Sequence, residues 1–227
     1  MLLLKFVLAF CGLSYELVLA QGLSAFLNNT VLRYSTTIGL YMFAMGLGAW
    51  ASGRTANGRC VRVLWQSEIM LIFLGGCGLT SLFCVSGADW PAAVIIILAY
   101  LWVGLIGFFT GLELPLMLRI AVDTNGPSRA KIIAMDYAGA FMATLFFVFY
   151  FYPSAGLIHS AMILMVINAL AGLVVAWKWQ SAFDKSAKAA LLVSWLILGG
   201  ASVLLLFSTE LQAQLITLYI GQAVNGY

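Results

Sequence analysis

The chain has 227 residues, of which 63% are hydrophobic and only 8% are charged, and its net charge is +3. Soluble domains carry roughly a quarter charged residues, so this composition could not cover a water-exposed surface. It excludes an ordinary soluble domain and predicts a protein of the lipid bilayer, where outward-facing side chains are apolar.

Seven apolar stretches follow one another along the chain, and short polar breaks separate them. Because a lone segment in hydrocarbon must satisfy its backbone hydrogen bonds internally, each stretch is expected to be helical. The predicted spans lie near residues 2–23, 34–52, 64–86, 92–118, 134–151, 156–177 and 189–207. Residues 208–227 form a short, mildly apolar tail. The predicted fold is an all-α integral membrane bundle of about seven transmembrane helices.

The basic residues are concentrated in alternate connections between these spans. Ten of the eleven lie on one side of the predicted bundle, and only Arg33 lies on the other. Connections rich in Lys and Arg stay in the cytoplasm, so the N-terminus is predicted to be cytoplasmic and the C-terminus to lie outside. On the outer side, Asp89–Pro91 and Tyr150–Pro153 are predicted to be tight turns with interfacial aromatic residues.

Small residues recur every four positions in the second and fourth spans. Ala44, Gly48 and Ser52 follow this spacing in one, and Gly107 and Gly111 follow it in the other. In lipid, small residues at this spacing let two helix backbones approach closely. Tight packing of these helices is therefore expected.

Glu16 is the most unusual residue of the first span. It lies about 15 Å deep at 1.5 Å per residue, close to the bilayer centre. A carboxylate there costs about 2.5–3.5 kcal/mol to insert. Two interpretations stand side by side: a proton or cation site, or a neutral acid that joins helices by hydrogen bonds.

Glu113 and Asp136 flank one basic connection at similar depth. Pro115, two residues after Glu113, is expected to kink or break the helix, and interrupted helices beside carboxylates bind ions in transporters. Alternatively, Glu113 is an interfacial acid paired with Arg119 or Arg54. Asp136, shortly after Lys131, is either a charge favoured at a helix start or part of a cytoplasmic-side cluster with Glu113.

These considerations give one set of candidate residues. The candidate ion or ligand site is Glu16, Glu113 and Asp136, with Arg54, Arg119 and Lys131 as candidate charge partners and Pro115 as a helix break. Glu68, at the start of the third span, is expected to pair with Arg62 or Arg59.

Other chemistry is not indicated. No complete catalytic motif occurs, and the lone histidine, His159, has no second ligand at metal-binding spacing. The four cysteines form no C-x-x-C pair, so Cys77 and Cys84 are expected to be small buried hydrophobic residues. No cofactor, catalytic residue, metal or nucleic-acid surface is predicted.

Four short motifs occur in a distinctive order. They are Ser14–Gln21, Met45–Gly48, Gly111–Leu116 and Asp136–Ala140. This order resembles the N-terminal membrane domain of the spermidine synthase-like membrane proteins, often described as major facilitator–spermidine synthase fusions. The Arg54-x-x-x-Gly58-Arg59 loop is also similar to the cytoplasmic signature of major facilitator transporters, although the usual acid is missing.

The resemblance implies a specific context. In that family a membrane domain precedes a soluble aminopropyltransferase domain, which transfers an aminopropyl group from decarboxylated S-adenosylmethionine to a polyamine. Glu16, Glu113 and Asp136 match recurrent positions of the membrane domain. With the short loops, the resemblance predicts a bacterial inner membrane.

Three functional hypotheses follow. The first is a membrane module that anchors or assembles with a partner subunit or with further copies of itself. The second is a transporter-like protein for a small cation or polyamine that uses the intramembrane carboxylates. The third is the membrane portion of an aminopropyltransferase whose soluble domain is missing from this chain.

Overall fold

The computed structural model describes residues 1–27, 30–86 and 91–225, and nearly all of them are helical. The long helices are α1 (Leu2–Leu27), α2 (Thr30–Ser52), α3 (Cys60–Ser86), α4 (Ala92–Asp123), α5 (Arg129–Phe146), α6 (Leu157–Lys178) and α7 (Ala187–Asn225). The prediction of an all-helical fold is confirmed for these residues. Within the described residues, six helices are long and apolar enough to cross a membrane, and α2 is not among them.

α1 occupies the centre of the bundle. It contacts α2, α4, α5 and α6, and most of its side chains are buried. The other helices surround α1. α5 packs on α1, α2 packs mainly on α4, α3 packs on both α4 and α6, and α7 packs on α6. A gap remains between the α2–α4 pair and the α1–α5 pair, and this gap positions the site described below.

The close packing predicted for the spans that carry small residues is found where α2 packs on α4. A Cβ atom added to Gly48 would lie 2.0 Å from the carbonyl oxygen of Phe108, and one added to Gly111 would lie 2.1 Å from that of Met45. Atoms cannot approach so closely, so only glycine fits at these contacts. The small residues therefore allow the two backbones to touch.

The basic connections lie at one end of the bundle, as the charge pattern predicts. Arg119, near the end of α4, donates hydrogen bonds to the carbonyl oxygens of Ser52 and Thr55 at the end of α2. Arg62, early in α3, donates to the carbonyl oxygen of Ala182 in the 3-10 helix before α7. These contacts place the end of α4 beside the end of α2, and the start of α3 beside the segment that precedes α7.

Two predicted interruptions are wrong. The predicted break at Pro115 is absent, since α4 continues as one helix to Asp123, and the alternative of a kink at Pro115 stays a prediction. Tyr150–Pro153 does not form a tight turn; it belongs to a π-helical segment, Phe147–Ala155, that extends α5. A wider helical turn accommodates Pro153, which has no N–H and would clash with the carbonyl one α-helical turn earlier. The chain reverses at Gly156, whose φ of 77° favours glycine.

Residues 208–225, predicted as a separate tail, continue α7. The backbone N–H of His159 donates to Gln212 at 3.1 Å, and the His159 ring lies 2.5 Å from the Ser208 hydroxyl. The first part of the tail therefore packs on α6 instead of leaving the bundle. Of the outer turn predicted at Asp89–Pro91, Asp89 and Trp90 lie outside the described residues, as does the side chain of Cys84.

Candidate functional site

A buried lysine joins two of the predicted carboxylates. The Nζ atom of Lys5 on α1 lies 2.8 Å from Oδ1 of Asp136 on α5 and 3.2 Å from Oε2 of Glu113 on α4. Lys5 is 2% exposed and Glu113 is 1% exposed, whereas the side chain of Asp136 is 24% exposed. We call these three residues the ion-pair cluster. It connects three helices that the sequence does not place together.

The ion-pair cluster is not electrically balanced when all its members are ionised. One ammonium group faces two carboxylates, so one negative charge remains. Removing charges from water is costly, and a buried pair offsets that cost only where geometry and partners are good. A second cation nearby would compensate the remaining negative charge.

A cavity of about 530 Å³ lies beside this cluster, in the gap between the two helix pairs. Its walls come from α1, α2, α4 and α5. All three predicted site residues, Glu16, Glu113 and Asp136, line it together with Lys5. The structure thus places the three carboxylates around one space, and their role as an ion or ligand site stays a prediction.

Glu16 lines the cavity separately from the ion-pair cluster. It is 7% exposed, and within the residues that the structure describes it makes no hydrogen bond or ion pair. The nearby Tyr41 hydroxyl donates instead to the carbonyl oxygen of Gly12 at 2.9 Å. Glu16 is therefore a buried carboxyl group, and the part of it that the protein leaves uncovered faces the cavity.

The predicted charge partners occupy other positions. Arg54 stacks on the ring of Trp50, with 3.8 Å between the guanidinium carbon and the ring centroid. Arg119 bonds carbonyl groups of α2 and the following turn, and Lys131 is exposed. The cation that contacts Glu113 and Asp136 is Lys5, which the sequence pattern counts only as a positive charge near the N-terminus.

A sequence signal for Lys5 exists. Lys5 and Glu16 are eleven residues apart, which is close to three helical turns, so both side chains lie on one face of α1. A basic and an acidic residue inside one apolar span at that spacing indicate a shared polar surface. The partners on α4 and α5 are not predictable this way, since they come from distant segments.

The prediction for Glu68 is wrong. Glu68 is fully buried, packs against Gly172 of α6, and does not contact Arg59 or Arg62 as an ion pair in the described structure. Asn168 of α6 is a polar neighbour of Glu68. Neither carboxylate oxygen of Glu68 and neither amide atom of Asn168 makes a hydrogen bond of normal geometry with described residues.

Metal ligation finds no support in the described part of the chain, where no three His, Cys, Asp or Glu side chains converge. Pro115 has no N–H, so the carbonyl of Gly111 lacks its usual partner one turn later. Gly111 and Pro115 both line the cavity.

The chain is similar to bacterial proteins named polyamine aminopropyltransferase. It is 27% identical over 198 residues to polyamine aminopropyltransferase 2 of Ralstonia nicotianae, and the aligned segment covers 86% of this chain and 38% of that protein. It is 32% identical over 184 residues to polyamine aminopropyltransferase 1 of Streptomyces coelicolor (77% and 33%) and 31% identical over 173 residues to the enzyme of Leptospira interrogans (75% and 34%).

No family model matches the chain, and no solved structure matches it. The chain spans about a third of the length of the curated relatives it matches. No fusion with a major facilitator domain is shown by these relatives, so that part of the predicted resemblance stays a prediction. Over most of its own length, this helical chain is similar to part of proteins named polyamine aminopropyltransferase.

Proposed function

We propose that this chain is the membrane-spanning module of a polyamine aminopropyltransferase-like protein, and that it holds a partner protein or domain at the bilayer. The observation that carries the proposal is the extent of the similarity: 86% of this apolar helical chain aligns with 38% of a protein bearing that name. No catalytic motif occurs in the chain. We place aminopropyl transfer, where it occurs, outside this bundle.

The orientation belongs to the same proposal. Lys5 is buried in the ion-pair cluster and no longer counts as a loop charge. Nine of the ten remaining basic residues still belong to the connections at one end of the bundle, which supports a cytoplasmic location for that end. With α2 as a seventh span, the N-terminus is cytoplasmic and the end of α7 lies outside; in bacteria the membrane is the inner one.

Insertion and topology test the proposal directly. The chain is expected to stay in the membrane pellet after extraction at alkaline pH. Green fluorescent protein fused after Ala56 is expected to fluoresce, and alkaline phosphatase fused after Ala155 is expected to be active. Release of the chain by alkali, or the opposite reporter pattern, would exclude this membrane arrangement.

Assembly is tested by mass. Light scattering of the chain purified in mild detergent is expected to give a mass above one copy of 24.6 kDa after subtraction of the detergent. A lone monomer, also after co-expression with an aminopropyltransferase from the same cell, would contradict the anchoring role.

A second candidate function is transport of a small cation, and the cavity lined by Glu16, Glu113 and Asp136 favours it. Intramembrane acids facing a cavity mark ion pathways in many membrane proteins. Uptake of labelled spermidine into proteoliposomes is the measurement. Uptake that is the same in wild type, Glu16→Gln and Glu113→Gln would end this candidate.

A further inference from the structure

We propose that the cavity binds a linear diamine or polyamine, with one ammonium group at Glu16 and another at the ion-pair cluster. This inference rests on the second candidate function and deepens it, because it names the ligand class of the same cavity and the residues that hold each end of the ligand. The residues of α1 that line the cavity are Lys5, Ala9, Leu13 and Glu16, which form one stripe along the helix. Eleven residues span about 16 Å, so the two acidic ends are well separated.

The charges at the two ends call for cations. Three carboxylates line the cavity, and Lys5 is the lone basic residue among the lining side chains described. Glu16, 7% exposed, has no partner within the described protein. An unpaired buried carboxylate is costly, so a ligand ammonium that hydrogen-bonds to Glu16 would supply the missing partner.

The middle of the cavity is apolar. Ala9 and Leu13 lie between Lys5 and Glu16 along α1, and the other apolar lining residues include Met42, Met45, Leu114 and Ala140. Methionine adapts to flexible aliphatic groups. A chain of methylene groups between two ammonium ions matches this order of polar end, apolar wall and polar end.

Size separates an organic amine from a bare metal ion. A volume of about 530 Å³ falls in the range of about 300–1,000 Å³ that holds small organic molecules. Calcium instead needs about six to eight oxygen ligands at 2.3–2.6 Å, and no such convergence exists among the described residues.

The test measures binding of spermidine to the whole chain in phosphatidylcholine nanodiscs by calorimetry, with butylamine as the single-ammonium comparison. Spermidine is expected to bind at least tenfold more tightly than butylamine, because butylamine reaches one end only. Glu16→Gln is expected to weaken spermidine binding at least tenfold, about 1.4 kcal/mol. Glu210→Gln, which removes an exposed acid of α7 that does not line the cavity, is the control and is expected to keep spermidine binding within threefold.

A steric pair tests the cavity without changing charge. Gly46 lines the cavity, and a Cβ added there meets nothing within 4 Å, so Gly46→Leu extends a side chain into open space. Gly39 on the same helix also has no atom within 4 Å of an added Cβ and does not line the cavity. Gly46→Leu is expected to abolish spermidine binding, and Gly39→Leu is expected to keep it.

The outcomes are distinct. No binding of spermidine at millimolar concentration by reconstituted wild type, equal binding of spermidine and butylamine, or equal binding by Glu16→Gln would overturn the site. Retention of phosphatidylethanolamine that depends on Glu16, seen by native mass spectrometry, would assign the cavity to a lipid amine and also overturn it. Failure to insert into nanodiscs at all would count against the proposed membrane module instead.

Discussion

Two groups of buried polar residues lie in this bundle, and they differ in whether partners are present. In the ion-pair cluster, Lys5 holds Glu113 and Asp136 at 3.2 and 2.8 Å. In the second group, Glu68 and Asn168 face each other across α3 and α6 without a hydrogen bond of normal geometry. We call these two residues the unpaired group.

The difference shows that burial alone does not reveal what a polar residue contributes. Removing one partner of a buried ion pair lowers the free energy of unfolding, because the remaining charge then has neither water nor a counter-ion. A polar group that is buried and unpaired already carries that desolvation cost. The two groups should therefore respond to apolar substitution with opposite signs.

Substitution of the shared cation should have the largest effect. Lys5→Met leaves Glu113 and Asp136 side by side without a counter-ion, so we expect a loss of about 3–5 kcal/mol in the free energy of unfolding. Chemical unfolding in detergent micelles measures it. A loss below about 1 kcal/mol would show that the cluster is not a stabilising unit.

Substitution in the unpaired group should have the opposite sign. Glu68→Met replaces a fully buried carboxyl group by an apolar side chain of similar volume, so we expect a gain of about 1–3 kcal/mol in the free energy of unfolding. Glu113→Met is the matched variant on α4 and should destabilise the protein in the same assay. Loss of stability in both variants would mean that Glu68 has a partner.

The two carboxylates of the ion-pair cluster should differ in degree. Asp136 is 24% exposed and Glu113 is 1% exposed, so Asp136→Asn should cost about 1 kcal/mol, less than Glu113→Gln. A double-mutant cycle with Lys5→Met isolates the coupling between Lys5 and Asp136. An equal or larger cost for Asp136→Asn would reverse this ranking.

An exposed lysine should have the smallest effect. Lys131 lies near Asp136 in sequence, but its side chain is exposed. Lys131→Met should leave the thermal unfolding midpoint unchanged, since surface charges contribute little to stability. A marked drop would restore Lys131 as a charge partner of the site.

Much of this protein follows from local sequence. A segment of about 20 apolar residues in lipid must form a helix, because only a helix satisfies its backbone hydrogen bonds within the segment. This holds whichever helices pack beside it. The spacing of Gly48, Gly107 and Gly111 indicates close approach of backbones, because the property is the absence of a side chain. The depth of Glu16 and Glu113 follows from counting residues along a span.

Other features depended on the tertiary structure. Lys5 meets Glu113 and Asp136 through contacts more than a hundred residues apart along the chain, and no local pattern specifies which helices become neighbours. For the same reason Glu68, placed by its sequence beside basic residues, turns inward to α6. The sequence by itself determined the helices, their apolarity and the few acids within them, since these are properties of single segments. The packing of the helices decided which of these acids contact a counter-ion and which line a cavity.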